Sequence, residues 1–509
     1  MRVIRVGLIG LGTVGGGVVR ILREHHDDFL RDQGVDIRLV ACASRSRQKA
    51  EALGVADIFT TNATSLLDDP DIDVIIELVG GTDHARDYVF AALEAGKRVV
   101  TANKALMATY GHELLALAGT KRLELAFEAA VGGGIPIIGA LRNSLIGNRI
   151  DSVIGIVNGT TNYILSEMSQ GGVTYAAALC QAQAQGYAEA DPTADVGGAD
   201  AAAKLAILAT LAFNTEIVLA QVPTEGITSL TPLDLSNAAE MGYSVKLLAV
   251  GNRTSAGIDL RVHPTFLPQT HPLSSVNGVY NAIFVVGDAV GQTMFYGQGA
   301  GAGPAASAVV GDLIEVAQRI TYDITRPYIR FGTEQLPIVP LSSLMCRYYL
   351  RLPVPDRAGV LAATAQSFAN HDVSIDRVMQ FDNPDTFTTI SNLQPETVLA
   401  DKDGQPGAAR RHSQEATTSS ATGDANTVSS QPMTEGAPES ARETTALSAT
   451  GSAREATALL GSEDARGHRT ANLIYVTHPA RESDLKAVLE EIRDSGVLVA
   501  EPVLIRIMD

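Results

Sequence analysis

Residues 3–22 read VIRVGLIGLGTVGGGVVRIL: an apolar run, glycines at positions 10, 12 and 15, and then valine, isoleucine and leucine at helical spacing. The order strand, glycines, helix is the context in which a GxGxxG spacing carries meaning, because the glycines act at the turn between the two elements. Gly10 permits the tight turn, Gly12 lets the backbone approach a pyrophosphate, and Gly15 permits close packing of the helix. The amides of Thr13 and Val14 then face an anion at the positive helix end. Residues 1–149 therefore read as a nucleotide-binding domain of the Rossmann type.

Further strands at 37–43, 74–79, 98–101 and 123–128 alternate with a helix at 85–95 and a less regular one around 113–118. That alternation predicts an α/β fold with a parallel sheet whose ligands gather at the carboxyl ends of the strands. The second strand is followed by Ser44, Arg45, Ser46 and Arg47 where an unphosphorylated ribose would call for an acidic residue. The Arg45 guanidinium suits a 2′-phosphate and favours NADPH; an ordinary basic loop, and use of NADH as well, stay open. Lys104 falls at the end of the 98–101 strand, with a lysine that merely pairs with a helix C-terminus as the plainer reading.

The stretch 186–206, GYAEADPTADVGGADAAAKLA, places Glu189, Asp191, Asp195, Asp200 and Lys204 close together with almost no bulk between them. Helix formers begin near Asp200, so Asp200 and Lys204 share one helical face. A solvated surface pair is the plain alternative, but the helix continues apolar to Phe213, which predicts burial and a lysine–carboxylate pair lining a cleft. Only eight of the 39 basic residues are lysine. In a chain that uses arginine as its routine surface cation, Lys104 and Lys204 stand out, because lysine is the cation whose proton affinity burial can tune.

A net charge of −18 argues against nucleic acid and anionic membrane as partners. No apolar run reaches the eighteen residues of a transmembrane helix, and no signal-peptide pattern opens the chain, so a cytoplasmic location is the default expectation. The three cysteines, Cys42, Cys180 and Cys346, are read as reduced core or half-buried residues, without a disulfide framework or zinc site.

A second, α+β domain is expected over 150–303, with strands near 245–250, 258–265 and 281–287 in an open sheet. A glycine-rich loop at 295–304 leads into a helix at 306–320 that packs back on the first domain, which 304–322 completes. After a linker at 323–344 come a strand at 346–352, a helix at 356–370, and strands at 374–381 and 387–391. Residues 395–470 are rich in Ala, Ser, Thr, Gly and Glu and cannot bury enough surface to offset chain entropy, which predicts a disordered insertion. A strand at 472–477, a helix at 483–495 and a strand at 499–507 then complete the ferredoxin-like order β-α-β-β-α-β across 345–394 and 471–509.

The pattern GY-x-E-x-DP followed by D-x-x-x-K at 186–204, with TANKAL at 101–106 and NGTTN at 158–162, resembles homoserine dehydrogenase. The resemblance covers nearly all of the chain outside the insertion. It implies hydride transfer between NADPH and aspartate 4-semialdehyde to give homoserine. Lys204 would be the general acid or base with Asp200 beside it, Lys104 a second functional lysine near nicotinamide and substrate, and Glu189 the holder of the substrate's ammonium group. Gly159 and Gly186 would lie on the substrate side. Gly301 matches a glycine close to the cofactor, although Pro304 and Ala305 stand where the family has Pro-Thr. The loop bearing Glu128, Val131, Gly133 and Ile135 would bind sodium or another monovalent cation through backbone oxygens. The second sheet would form a homodimer. The C-terminal module resembles an ACT domain, with Ala358 in place of the usual proline and Gly359 kept, which implies an amino-acid effector, threonine being the pathway's end product. Another NADP-dependent amino-acid dehydrogenase, or a non-catalytic NADP-binding sensor, are the alternatives.

Overall fold

The computed structural model describes residues 2–324, 334–382 and 469–508. Six strands, β1 (Val3–Ile9), β2 (Asp36–Ala43), β3 (Phe59–Thr60), β4 (Val74–Glu77), β5 (Arg98–Thr101) and β6 (Leu125–Ala126), pair in parallel in the order β3-β2-β1-β4-β5-β6. The order reverses between β1 and β4, which opens a crevice at their carboxyl ends. A Cβ on Gly10 would lie 2.5 Å from the Leu78 carbonyl oxygen and one on Gly15 2.0 Å from that of Gly10, whereas nothing lies within 4 Å at Gly12. The first and third glycines thus close the turn and the second leaves bare backbone facing the crevice. Contact between helices falls instead at Gly17, where a Cβ would meet Ala302 O and the Ala306 Cβ at 2.7 Å. The helix Ala302–Thr321 packs there against the helix Thr13–Glu24, burying Val309, Val310, Leu313 and Val316 with Val18, Val19 and the β1 residues Ile4, Val6 and Leu8.

Several elements differ from the sequence expectation. The irregular helix near 113–118 is one continuous helix, Lys104–Lys121; packing tolerates its interior glycines. The 123–128 strand shrinks to β6 because the Glu128 amide donates to Asp312 Oδ2 at 2.7 Å and turns the chain into a 3-10 segment. Phe295 belongs to a strand and not to a loop. The helix expected at 356–370 begins at Val360, leaving Asp356 to Gly359 as its entry turn. Cys180 is exposed while Cys42 is buried and Cys346 half-buried, all three being free. On the helix Tyr175–Ala184 the buried positions are Ala178 and Ala182, so residue 180 points the other way.

The second sheet contains β7 (Ile150–Ile156), β8 (Tyr243–Thr254), β9 (Gly257–Pro268), β10 (Tyr280–Gly287), β11 (Gly291–Gln298), β12 (Met345–Pro355), β13 (Ile375–Asp382), β14 (Thr470–Thr477), the short β15 (Ala480–Arg481) and β16 (Val503–Ile507). Its order is β11-β10-β7-β8-β9-β16-β12-β14-β13, with β15 beside β12. The last four strands of that path, with the helices Val360–Asn370 and Glu482–Asp494, form a split β-α-β unit in the sequence-expected order. The sequence reads that unit as a separate domain behind a linker; the structure runs one sheet through both. Strand β16 pairs in parallel with β9, Arg506 opposite Thr265 and Ile507 opposite Phe266. Residues Met1–Asp382 and Thr470–Asp509 form one compact unit. Part of the expected linker also lies on the β9 edge, where Ile258 N donates to Pro337 O and Val339 N to Ile258 O, both at 2.8 Å. Beneath the joint, Arg351 donates to buried Asp234 at 2.7 and 3.1 Å, and the Tyr349 hydroxyl donates to it at 2.9 Å. The expected 387–391 strand and 395–468 of the expected insertion lie outside the described residues. Among the described residues no helix is long and apolar enough to cross a membrane.

Candidate active site

Three helices begin at one place. The helix Lys104–Lys121 leaves β5, the helix Gly159–Gly171 leaves β7, and the helix Ala199–Phe213 follows the glycine pair 197–198. Asn103 and Asn158 cap the first two, their side-chain oxygens accepting from Leu106 N at 3.0 Å and Thr161 N at 2.9 Å, the role Asn plays at helix starts. Asp200 sits between the three, 6% exposed. Its Oδ2 accepts from Lys204 Nζ at 2.8 Å and from Asn158 Nδ2 at 2.8 Å, and its Oδ1 accepts from Lys104 Nζ. Burial alone would raise the Asp200 carboxyl, but the ammonium groups of Lys204 and Lys104 outweigh it and hold it well below the ordinary carboxylate range. Lys204 also donates to Val157 O at 2.6 Å. An ammonium has three N–H bonds; Asp200 and Val157 take two, which leaves one for an incoming acceptor.

The sequence pairing of Asp200 with Lys204 thus holds in space, and the structure adds Lys104, Asn158 and Asp195. Asn158 Nδ2 donates to Asp195 Oδ1 at 2.7 Å, and the Thr160 hydroxyl to Asp195 Oδ2 at 3.3 Å and Tyr187 O at 2.7 Å. Gly159 is confined to glycine, since a Cβ would lie 2.7 Å from Val279 O. Glu189 is not part of the buried cluster: it is exposed, on the turn that Thr160 ties down at Tyr187 and that Gln183 holds through Glu189 O at 3.1 Å. Gly186 opens that turn in the left-handed region at φ 75°. A polar relay absent from the sequence reading sets the start of the Lys104 helix. Fully buried Glu77 accepts from Val79 N and the Thr101 hydroxyl, each at 2.7 Å, and Asn103 Nδ2 donates to Gly81 O at 2.7 Å. Its signal was an acidic residue closing the apolar strand VIIE.

At the cofactor end Arg47 pairs with Glu51 at 3.2 Å and Ser46 caps the helix Arg47–Ala52, leaving exposed Arg45 with no ion pair among the described residues. Gly301 precedes the helix that meets Gly17, at φ 124°. A cavity of about 420 Å³ between the helices Lys104–Lys121 and Ala199–Phe213, walled by Met107, Leu115, Phe127, Ile207 and Leu211, contains none of Lys104, Asp200 or Lys204. At its rim His112 Nδ1 faces Glu216 at 3.6 Å, apart from the buried carboxylate–lysine cluster at the helix starts.

Residues 10–128 match the family model for the NAD-binding domain of homoserine dehydrogenase, and residues 136–314 match that for homoserine dehydrogenase itself. The chain belongs to the homoserine dehydrogenase family. It is 44% identical over 385 residues to the homoserine dehydrogenase of Neisseria gonorrhoeae, and 41% over 381 residues to that of Bacillus subtilis, each match covering 75% of this chain and 88% of the relative. Among solved structures, the homoserine dehydrogenase of Thiobacillus denitrificans superposes with a TM-score of 0.79 at 37% identity over 100% of this chain and 99% of that one. A hyperthermophilic archaeal homoserine dehydrogenase mutant in complex with NADPH superposes with a TM-score of 0.54 at 27% identity, covering 64% of this chain and 99% of that one. This homoserine dehydrogenase is therefore an oxidoreductase with a nicotinamide-nucleotide domain, acting between aspartate 4-semialdehyde and homoserine.

The loop after β6 is anchored by a side chain where the sequence suggested only turns. Glu128 accepts from Ile138 N at 2.7 Å and Gly139 N at 2.6 Å, while its own amide goes to Asp312 on the helix Ala302–Thr321. Burial raises the Glu128 carboxyl against the pull of those amides. Burial, reinforced by the charges of Glu128 and Glu315, pushes Asp312 up to about 7 from an ordinary 3.8. An acid with a raised folded-state pKa binds an extra proton in the folded protein between those two values, so stability falls as pH rises through that window. Asp312→Asn keeps an acceptor for the Glu128 amide without the charge. Urea midpoints of variant and parent should diverge in favour of the variant as pH rises from about 4 to 7, and parallel midpoints across that range would refute this role for Asp312.

Proposed function

We propose that Asp200, Lys204 and Lys104 form the reaction centre of this dehydrogenase, with Lys204 donating the proton to the substrate's carbonyl oxygen. The observation that carries the reading is the buried Asp200 carboxylate shared by two lysines, of which the buried Lys204 is fixed by two bonds and keeps its third N–H free. Negative charge grows on the carbonyl oxygen during reduction, and a donor already aimed there acts mainly in the transition state. Asp200 and Val157 O fix the Lys204 ammonium; Lys104, its side chain 48% exposed, belongs to the cofactor domain and holds Asp200 from that side. Lys104 is the competing donor. The exposed Glu189 carboxylate, on the turn tied to the start of the Gly159 helix, suits the substrate's ammonium group, with Gly159 and Gly186 shaping the space between.

The cofactor supplies and takes back the hydride. Gly12 leaves the backbone bare, and the first-turn amides of Thr13 and Val14 have no helical acceptor, so the turn Gly10–Gly15 fits a pyrophosphate. Exposed Arg45 beyond β2, without an ion pair among the described residues, favours NADPH over NADH. For a monovalent cation, the backbone oxygens of Val131 and Gly133 accept no protein N–H among the described residues, while those of Glu128 and Ile135 accept from Val131 N and Ile137 N. Val131 and Gly133 would thus contribute most; sodium dependence of turnover tests this. A homodimer through the second sheet is expected to show twice the chain mass by light scattering. The C-terminal module takes the ACT role. A cavity of about 270 Å³ lies between Val354–Leu361, Gln380 and Leu473, beneath a turn that Gly359 forms at φ 94°, and an amino acid such as threonine suits its size. Turnover indifferent to millimolar threonine would rule that effector out.

Lys204→Ala should lower kcat by about 10²- to 10⁴-fold with little change in cofactor affinity, and Lys204→Arg should rescue little because the planar fork does not replace a point donor. Asp200→Ala should add little to the loss at Lys204, since the two act as a unit. Near-parental kcat in Lys204→Ala, with loss in Lys104→Ala, would transfer the donor role to Lys104. Arg45→Ala should weaken NADPH by about 1.5–3 kcal/mol, the worth of a charge-assisted hydrogen bond, and leave NADH nearly unchanged. Equal weakening of both cofactors would dissociate Arg45 from the 2′-phosphate.

A further inference from the structure

The turn that launches the Asp200 helix is gripped from outside the reaction centre. Gly197 and Gly198 precede that helix, and Gly198 caps it at φ 87°. The segment 223–227 lies directly against them. Ile227 N donates to Val196 O at 2.9 Å, and a Cβ on Gly226 would fall 2.2 Å from that same oxygen, so backbone meets backbone here without a side chain between. The segment is clamped to β9 on its other side, Glu225 N donating to Val262 O at 2.8 Å and Val262 N to Pro223 O at 2.9 Å.

Glu225 then reaches the C-terminal module. Arg506 on β16, 2% exposed, donates from both terminal nitrogens to the two Glu225 oxygens at 2.8 Å each. The same guanidinium donates through Nε to Glu482 at 2.9 Å, and Glu482, wholly buried at the start of the helix Glu482–Asp494, also accepts from the Tyr348 hydroxyl at 3.0 Å. A bidentate guanidinium–carboxylate fork fixes orientation as well as distance. A continuous set of contacts therefore runs from the C-terminal sheet through Arg506, Glu225 and Ile227 to Val196, four residues before Asp200.

We propose that Glu225, held by Arg506, is a positioning residue for the dehydrogenase reaction: the pair sets the turn 196–198 and, through it, the placement of Asp200 between Lys204 and Lys104. The proposal rests on Asp200 and Lys204 being the reaction centre. It also makes the C-terminal strand part of what shapes that centre, and places the coupling between the module and the site in one surface-accessible carboxylate. Glu225 is 45% exposed at its side chain, unlike the buried Arg506 and Glu482, so it can be replaced without opening the core.

Full-length Glu225→Ala and Glu225→Gln are compared with Lys486→Ala, which removes a cation 3.7 Å from Glu482 and leaves the Arg506–Glu225 fork in place. Steady-state kinetics, thermal midpoints and amide hydrogen exchange over residues 195–200 are measured on each. Glu225→Ala should lose about 3- to 30-fold in kcat, the range for a residue coupled to a site it does not touch. Its KM for NADPH and its thermal midpoint should stay near the parent's, and exchange at 196–200 should quicken. Glu225→Gln should fall between alanine and parent, and Lys486→Ala should match the parent throughout. Parental kcat in Glu225→Ala, unchanged exchange at 196–200, or losses of kcat that simply follow the thermal midpoint in both Glu225 variants would overturn the proposal and leave the pair a fold clamp. Lys204→Ala run alongside reports on the reaction centre itself, while the exchange readout reports on the turn whichever lysine donates the proton, so the two readings can fail separately.

Discussion

A carboxylate taken out of water survives as a charge only if its surroundings replace the lost solvation. Asp200 meets that demand with two ammonium groups and an amide, and each comes from a different helix start or turn. Breaking a buried pair of this kind by removing one partner costs about 3–5 kcal/mol, so the three elements are held in register by the electrostatics of one side chain. In the proposed reaction centre the same charge would keep the Lys204 ammonium pointing where a substrate oxygen can meet it, so that stability and chemistry would draw on the same bonds. A change that loosens the cluster should be felt in both, and Lys104, at the end of β5, meets Asp200 across 96 residues of sequence.

The second constraint is the free edge of β9. An unpaired edge strand exposes a row of amides and carbonyls and invites unwanted pairing. Here that edge is covered along its length by the chain around 337–339, by the segment 223–225 and by β16. The C-terminal module is thereby an extension of the substrate-domain sheet. Burial of Tyr349 against Phe266, with ring centroids 4.7 Å apart, and of the Arg351–Asp234 pair beneath it closes the joint. A joint that is hydrogen-bonded, apolar and charged at once holds the module and the substrate-domain sheet together as one unit.

What the sequence determined by itself was local. A strand, three glycines and a helix within twenty residues specify a nucleotide-binding turn: Gly15 answers a clash with Gly10 O five residues away and Gly12 leaves the backbone bare, although the clash that Gly10 avoids, with Leu78 O, is set by the assembled sheet. Asp200 and Lys204 lie one helical turn apart, so their pairing, and their burial in an apolar helix, follow from periodicity alone. The order of strands and helices in the C-terminal module was legible for the same reason. Tertiary structure decided the rest. Lys104 meets Asp200 across 96 residues and Arg506 meets Glu225 across 281, separations over which no periodicity carries information and only packing selects the partner. The sequence grouped Glu189 with Asp200 because they are neighbours along the chain, yet the fold turns one to solvent and buries the other. Composition likewise suggested a separate C-terminal domain, and it took the open edge of β9, a property of the assembled sheet, to make that module part of the same body.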